Sequence, residues 1–151
     1  MKPWVFYGLS NRLTERFRKK DDKIKGLSPA FRNSLHIFPI DVGNDNGLNF
    51  EMEALQSSQY NIHRFGIFFT DSPRHADILL ILGRCTEKMV SPLKETINQL
   101  PSPYGIVVVE GGQPFGIKPK ELALSNVLAY YERHLSADEV LSVLLNIMEV
   151  K

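Results

Sequence analysis

Four short, almost unbroken apolar runs govern what this chain can fold into: Leu35–Ile40, Arg64–Thr70 (R-F-G-I-F-F-T), Ala76–Leu82 (A-D-I-L-L-I-L) and Tyr104–Val109 (Y-G-I-V-V-V). A strand that is apolar on both sides must be covered on both sides, which is the habit of parallel sheets. Helical patterns separate the runs. Phe50–Ser58 places Phe50, Ala54 and Leu55 on one face, and Glu87–Leu100 carries Met89, Val90, Leu93 and Ile97 as an inner stripe. Asn126–Tyr130 reads as a short fifth strand. Ser136–Glu149 reads as a closing helix with Ser136 as N-cap, acids in its first turn, and Val140, Leu141, Leu144, Leu145 and Met148 facing inward. Strands alternating with helices predict right-handed crossovers in a doubly wound α/β fold. The 151 residues suit one such domain, expected over 34–151.

Composition adds exclusions. A net charge of +1 gives no global pull toward nucleic acid, and none is expected as a partner. The charge is uneven: residues 1–33 hold nine Lys/Arg against three acids, a balance of +6, and the rest hold nine against fourteen, a balance of −5. Within that first segment, Trp4, Phe6, Leu9, Leu13 and Phe17 recur mostly at spacings of three or four, with Arg12, Arg16, Arg18, Lys19 and Lys20 at other positions. This is an amphipathic basic helix. It either packs on its own domain, lies on a membrane surface or enters a partner's groove. Residues 20–33 read as an extended polar linker, so 1–33 forms an arm and linker. The single cysteine excludes an internal disulfide and an all-Cys cluster, and fits a reducing compartment. No continuous apolar h-region opens the chain, and no run approaches the roughly 18 residues of a membrane span. The expected location is cytoplasmic, peripheral on the inner face of the cell membrane.

The stretch Asp41–Glu51 (D-V-G-N-D-N-G-L-N-F-E) breaks from the first strand into a Gly- and Asn-rich turn and then enters a helix. α/β proteins place chemistry at such turns. Gly43 and Gly47 accept backbone angles that other residues resist, and Asp45, Asn46 and Asn49 are candidate caps. The other strand ends are Thr70–Ser72, Gly83–Lys88, Glu110–Gly116 and Tyr131–Leu135. The plain reading of Cys85 is a small buried residue. The sharper one is a redox-sensitive thiol beside Arg84 and Lys88. His36, His63, His75 and His134 show no metal-ligand spacing. Gly111, Gly112 and Gly116 invite an anion cradle, but no P-loop or G-x-G-x-x-G accompanies them. Asp41 and Glu51 read as capping and structural hydrogen-bonding groups.

The ordered series I-D-V-G-N-D-N-G-L-N-F-E-M-E-A-L, Y-N-I-H-R-F-G-I, S-P-R-H-A-D-I-L-L-I-L-G-R-C-T-E-K-M and L-P-S-P-Y-G-I-V-V-V resembles the small subunit of membrane-bound [NiFe] hydrogenases. It also resembles the related 20 kDa (PSST) subunit of respiratory complex I. The match covers residues 35–116 well and 125–150 weakly. The resemblance implies a flavodoxin-like fold with a mainly parallel sheet of four to five strands flanked by helices. It also implies a [4Fe–4S] cluster held by four cysteines, and electron transfer beside a large subunit. Carried onto this sequence, the ligand positions fall on Asp45, Leu48, Gly112 and, near a replaced P-G-C-P-P segment, Arg133. None is a cysteine, and such a cluster needs thiolates.

The expectation is therefore a cluster-less homologue, with no cofactor and no enzyme activity of its own, which docks a large-subunit-like partner in a membrane-associated oxidoreductase complex. The expected contact residues are Gly43, Asn44, Asp45, Asn46, Gly47, Glu51, Arg74, His75, Arg84 and Cys85. Two other readings remain. One is a repurposed pocket for a small anion or metal lined by Asp45, Cys85, Glu110 and Arg133. The other is electron transfer through an unusual [4Fe–4S] cluster.

Overall fold

The computed structural model of the chain describes residues 34–149, so the arm and linker expected over 1–33 lie outside them. Among the described residues five strands form one wholly parallel sheet: β1 (Leu35–Gly43), β2 (Ile67–Phe69), β3 (Ile78–Gly83), β4 (Gly105–Val109) and β5 (Val127–Tyr131). Their spatial order is β2-β1-β3-β4-β5, the order of flavodoxin-like sheets. Among the described residues three helices, α1 (Gly47–Gln56), α2 (Val90–Asn98) and α3 (Ala137–Glu149), cover the two faces.

The apolar runs explain the layering. All six residues of β3 and all five of β4 are buried. Alternation sends Ile78, Leu80 and Leu82 to one face, where they meet Leu48, Met52 and Leu55 of α1 and Val140, Leu141 and Leu144 of α3. Leu79 and Ile81 go to the other face, against Leu93 of α2. Each fully buried Leu or Ile side chain is worth about 1.5–3 kcal/mol relative to exposure, so this central pair of strands anchors the domain.

Several boundaries differ from the sequence expectation. β1 runs past Ile40 to Gly43, because its ladder with β3 continues through Asp41↔Leu82 and, after a bulge, Gly43↔Gly83. The second run is mostly not strand: Ile62–Phe65 forms a 3₁₀ turn, Gly66 ends it at φ 76°, and only Ile67–Phe69 pairs with β1. The first turn of the Glu87–Leu100 pattern is 3₁₀ over Glu87–Met89, and of its expected stripe Leu93 alone is fully buried, with Met89, Val90 and Ile97 packed partly buried around it. In α1 the expected face holds for Leu55, which is buried, and for Ala54, which packs against the core, but not for Phe50. Phe50 is 68% exposed, and the buried stripe is Leu48, Met52 and Leu55. The helix begins three residues earlier than expected, and Leu48 sits over the β4 loop, where a Cβ on Gly111 would come 3.1 Å from Leu48 Cδ1. α3 buries Val140, Leu141, Leu144, Leu145 and Met148 as expected, and Val143 and Ile147 as well.

Candidate functional site

The chain leaves β1 for β2 over one face and β3 for β4 over the other. The loops after β1 and β3 therefore part company, and the crevice between them is where open α/β sheets take ligands. An open cleft of about 280 Å³ lies there, lined by Gly43, Asn44, Asp45, Thr86, Gln113, Phe115 and Gly116. Two glycines let the loops approach. A Cβ on Gly43 would lie 2.4 Å from the Arg84 carbonyl oxygen, and one on Gly83 would lie 2.6 Å from the Asn44 nitrogen.

The Asn-rich turn is held by its own polar groups. Asp41 Oδ1 accepts from the Gly43 and Asn44 backbone N–H groups at 2.9 and 3.0 Å, and its Oδ2 accepts from Asn49 Nδ2 at 2.9 Å. Asp45 Oδ1 accepts from Gly47 N–H at 3.2 Å. Asn46 stands before α1 at φ 65° and offers no side-chain cap, unlike the expected role, because left-handed backbone turns the side chain away from the first free N–H groups. Asn49 donates to Asn46 Oδ1 at 3.3 Å instead of capping the helix itself. Glu51 caps a different helix: its Oε2 accepts from Ala137 N–H at 2.7 Å, so α1 holds the N-terminus of α3. His134 faces the other oxygen of Glu51 at 3.5 Å.

A buried polar clasp ties the ends of β3, β4 and β5. Glu110 is fully buried, and its Oε2 accepts from Arg84 Nε at 3.1 Å. The Tyr130 hydroxyl donates to Oε1. Burial first, and then the bond to Glu110, push the Tyr130 phenol far above its ordinary value. Lys120 stands 4.3 Å from the Tyr130 ring centre and pairs with Glu132. Cys85, the one cysteine, is wholly buried, and its backbone forms an antiparallel bridge with Ile117. Its thiol donates to the Thr86 carbonyl, and burial pushes its pKa up, the direction opposite to that of an activated thiolate.

The sequence-predicted positions divide. Gly43, Asn44 and Asp45 line the cleft, while Asn46 and Gly47 continue its turn. Arg84 and Cys85 lie directly beneath, with their backbone against Gly43 and Gly116. Arg74 and His75 are exposed on a 3₁₀ turn, Pro73–His75, that leads into β3 from the opposite end of the sheet. Of the four positions carried over as cluster ligands, Asp45 is exposed, Leu48 is buried in the core and Gly112 is exposed with nothing within 4 Å of an added Cβ. Arg133 is clamped to Glu139 by two bonds of 2.8 and 2.9 Å. The alternative lining set does not converge. Asp45 faces the cleft, Cys85 and Glu110 are buried beneath it, and Arg133 is committed to Glu139. Among the described residues no three His, Cys, Asp or Glu side chains group as a metal site. Thr86 and Gln113 fall within the expected surface loops Arg84–Lys88 and Glu110–Gly116 without having been singled out, and Tyr130 was missed as a site residue. No motif marks the first two, and Tyr130 reads from sequence as one more strand aromatic.

No protein-family model matches the chain. It is 33% identical over 99 residues to the probable membrane-bound hydrogenase subunit mbhJ of Pyrococcus furiosus, covering 66% of this chain and 59% of that protein. It is 37% identical over 91 residues to formate hydrogenlyase subunit 7 of Escherichia coli, covering 57% of this chain and 36% of that protein. An uncharacterised protein of Methanocaldococcus jannaschii is 33% identical over 78 residues, covering 52% of this chain and 53% of its own length. The chain thus spans between about a third and three fifths of these relatives. Among solved structures, a chain of the membrane-bound sulfane sulfur reductase, an archaeal respiratory membrane complex, superposes with a TM-score of 0.59 at 24% identity, covering 82% of this chain and 75% of that one. That likeness is one of fold.

Proposed function

We propose that this chain is a cluster-less, non-catalytic subunit of a membrane-associated oxidoreductase complex, of the hydrogenase and complex I 20 kDa type, and that it docks a large-subunit-like partner through the loops at the carboxyl ends of its strands. The observation that carries the reading is the chemistry at the four ligand positions. A carboxylate, a core leucine, a bare glycine and a guanidinium already bound to Glu139 stand where a [4Fe–4S] cluster requires thiolates. Those residues do not fit the cluster, while the sheet, the turn glycines and the loop arrangement around it are kept. The sequence relatives that carry a descriptive name, a membrane-bound hydrogenase subunit and a formate hydrogenlyase subunit, support membership of such an assembly. A peripheral place in it fits the finding that no helix among the described residues is long and apolar enough to cross a membrane.

The test is the visible absorption spectrum and iron content of anaerobically purified protein. The reading expects a colourless, iron-free chain that co-purifies with a large-subunit-like protein from its native host. A broad visible band with about four irons per chain would overturn it and restore electron transfer. Native complexes that never contain the chain would remove the docking role.

A further inference from the structure

α3 is buried where an outer-layer helix is normally bare. Every residue from Val140 to Met148 except Asn146 is buried. Val140, Leu141 and Leu144 face the sheet. At about 100° per residue, Ser142 and Val143 lie roughly 150° and 110° round the axis from the middle of that stripe, one on either side of it. Yet they are only 8% and 6% exposed. The apolar positions run from Val143 round to Leu145, an arc of about 200° where one packing surface takes about 100°. Ser142 turns its hydroxyl back to the Asp138 carbonyl at 2.9 Å, so its donor is satisfied within the helix. The other two helices behave differently. The far side of α1 bares Phe50 at 68%, and that of α2 bares Ser91, Lys94 and Glu95.

Neither the sheet nor α1 supplies this cover. Burial first, and then the carboxylates of Asp138 and Glu51, raise the phenol of Tyr60, which follows α1, so the Asp138 flank of α3 is the one turned to α1. Val143 stands roughly 140° round the helix from Asp138. α1 joins β1 to β2, so the side of α3 away from it is the β5 side, where the sheet ends with no described strand beyond. The structure holds a single chain, so the covering layer belongs to that chain. Apart from the last two residues, the segment left to supply it is 1–33.

We infer that the basic amphipathic arm, residues 3–19, lies along the outer side of α3, with its stripe of Trp4, Phe6, Leu9, Leu13 and Phe17 over Ser142 and Val143. Length fits: as a helix those residues reach about 25 Å, and the 13 residues of α3 about 20 Å. Reach fits as well. α3 runs back along the sheet from the carboxyl end of β5 and so ends near the side where β1 begins, and the linker over 20–33 spans up to about 46–50 Å. Charge fits too. Neither α1 nor α3 contains Lys or Arg, and Glu53 and Asp138 are among their acids, so the basic rim with Arg12 and Arg16 meets carboxylates. Of the three places open to the arm, this assigns it to its own domain, whether or not the docking reading holds.

The test is thiol labelling of the full-length Ser142→Cys variant, alone and combined with Leu9→Asp and Leu13→Asp. The introduced thiol is expected to be protected when the arm is native and to label at least tenfold faster when the arm carries both aspartates. Cys85, buried in the core, stays protected in both and reports an intact domain. Fast labelling with the native arm, or equal protection with the altered one, overturns the inference. Trp4, the single tryptophan, gives the reciprocal readout. In the full chain alone its emission is expected to be blue-shifted and weakly quenched by acrylamide, and Val143→Asp to shift it red and raise quenching at least threefold. The two arm substitutions change no described residue, so they decide the matter even where Val143→Asp opens Cys85. A Trp4 that is open to water in the chain alone, and shifts blue only on phosphatidylglycerol vesicles, puts the arm on a membrane surface and overturns the inference.

Discussion

Replacing Arg84 by methionine is the sharpest test of how the strand ends are held. The substitution keeps an unbranched apolar stem and removes the guanidinium, so lost charge is separated from lost packing. Glu110 has no exposure, and Arg84 only 19%, so the pair is nearly dry. At 3.1 Å and an effective dielectric constant near 20, the gross attraction is about 5 kcal/mol. Removing one member of a buried pair strands the other charge and typically costs about 3–5 kcal/mol. The Tyr130 hydroxyl still serves Glu110, and Arg84 is partly wet, so the lower end, about 3 kcal/mol, is expected. For a domain of this size that is a fall in Tm of about 6–12 °C. The assay is urea unfolding of the parent, Arg84→Met, Glu110→Gln and the double variant. Once glutamine replaces the stranded carboxylate, the double variant should be more stable than Arg84→Met alone. A loss under about 1 kcal/mol for Arg84→Met, or a double variant that is simply the sum of the singles, would refute the clasp.

Four further outcomes follow from the geometry. Gly83→Ala puts a Cβ 2.6 Å from backbone atoms of the β1 loop at φ +90°, so equilibrium unfolding should show a loss of about 3 kcal/mol or more. Gly112→Ala, at φ +80° with open space around it, should lose only about 1–2 kcal/mol. Glu139 is held down to about 2, first by its hydrogen bond to Arg133. A depressed carboxylate contributes stability that is complete above the ordinary value of 4.5 and is lost as pH falls toward about 2, so Arg133→Ala should flatten that acid limb in pH-dependent unfolding. With Arg133 61% exposed, the cost at neutral pH should stay below about 1 kcal/mol. Cys85 should resist iodoacetamide at pH 8 in the folded chain and react on unfolding, because it is buried and its thiol pKa is raised; rapid native labelling would contradict the burial.

Legibility in the sequence followed burial. β3 and β4 could be read to within two residues because a strand covered on both faces leaves an unbroken apolar run, whatever its neighbours. β2 could not, because R-F-G-I-F-F-T is equally apolar, and only the left-handed turn at Gly66 and the register Leu35↔Ile67 confine pairing to three residues. Phe50 of α1 was misread as an inner residue for a related reason. Phe50 outranks Leu48 in bulk, yet the helix rotates to set Leu48 against the Gly111 loop, a contact between residues 63 positions apart. At the candidate site, the turn Asp41–Glu51 stood out through its Gly and Asn content, but Thr86, Gln113 and Phe115 come from loops with no shared pattern.

The sequence by itself determined the alternation of buried strands and helices, the single cysteine, and the uneven charge of the two ends of the chain, because these depend on composition and local spacing. The tertiary structure decided the rest. The order β2-β1-β3-β4-β5 places the β1 and β3 loops side by side and opens the cleft between them. It joins Arg84, Glu110 and Tyr130 in one clasp, and sets Glu51 on the N-terminus of a helix 86 residues away. Such partners meet only after the sheet has closed the distance, so no local pattern records them.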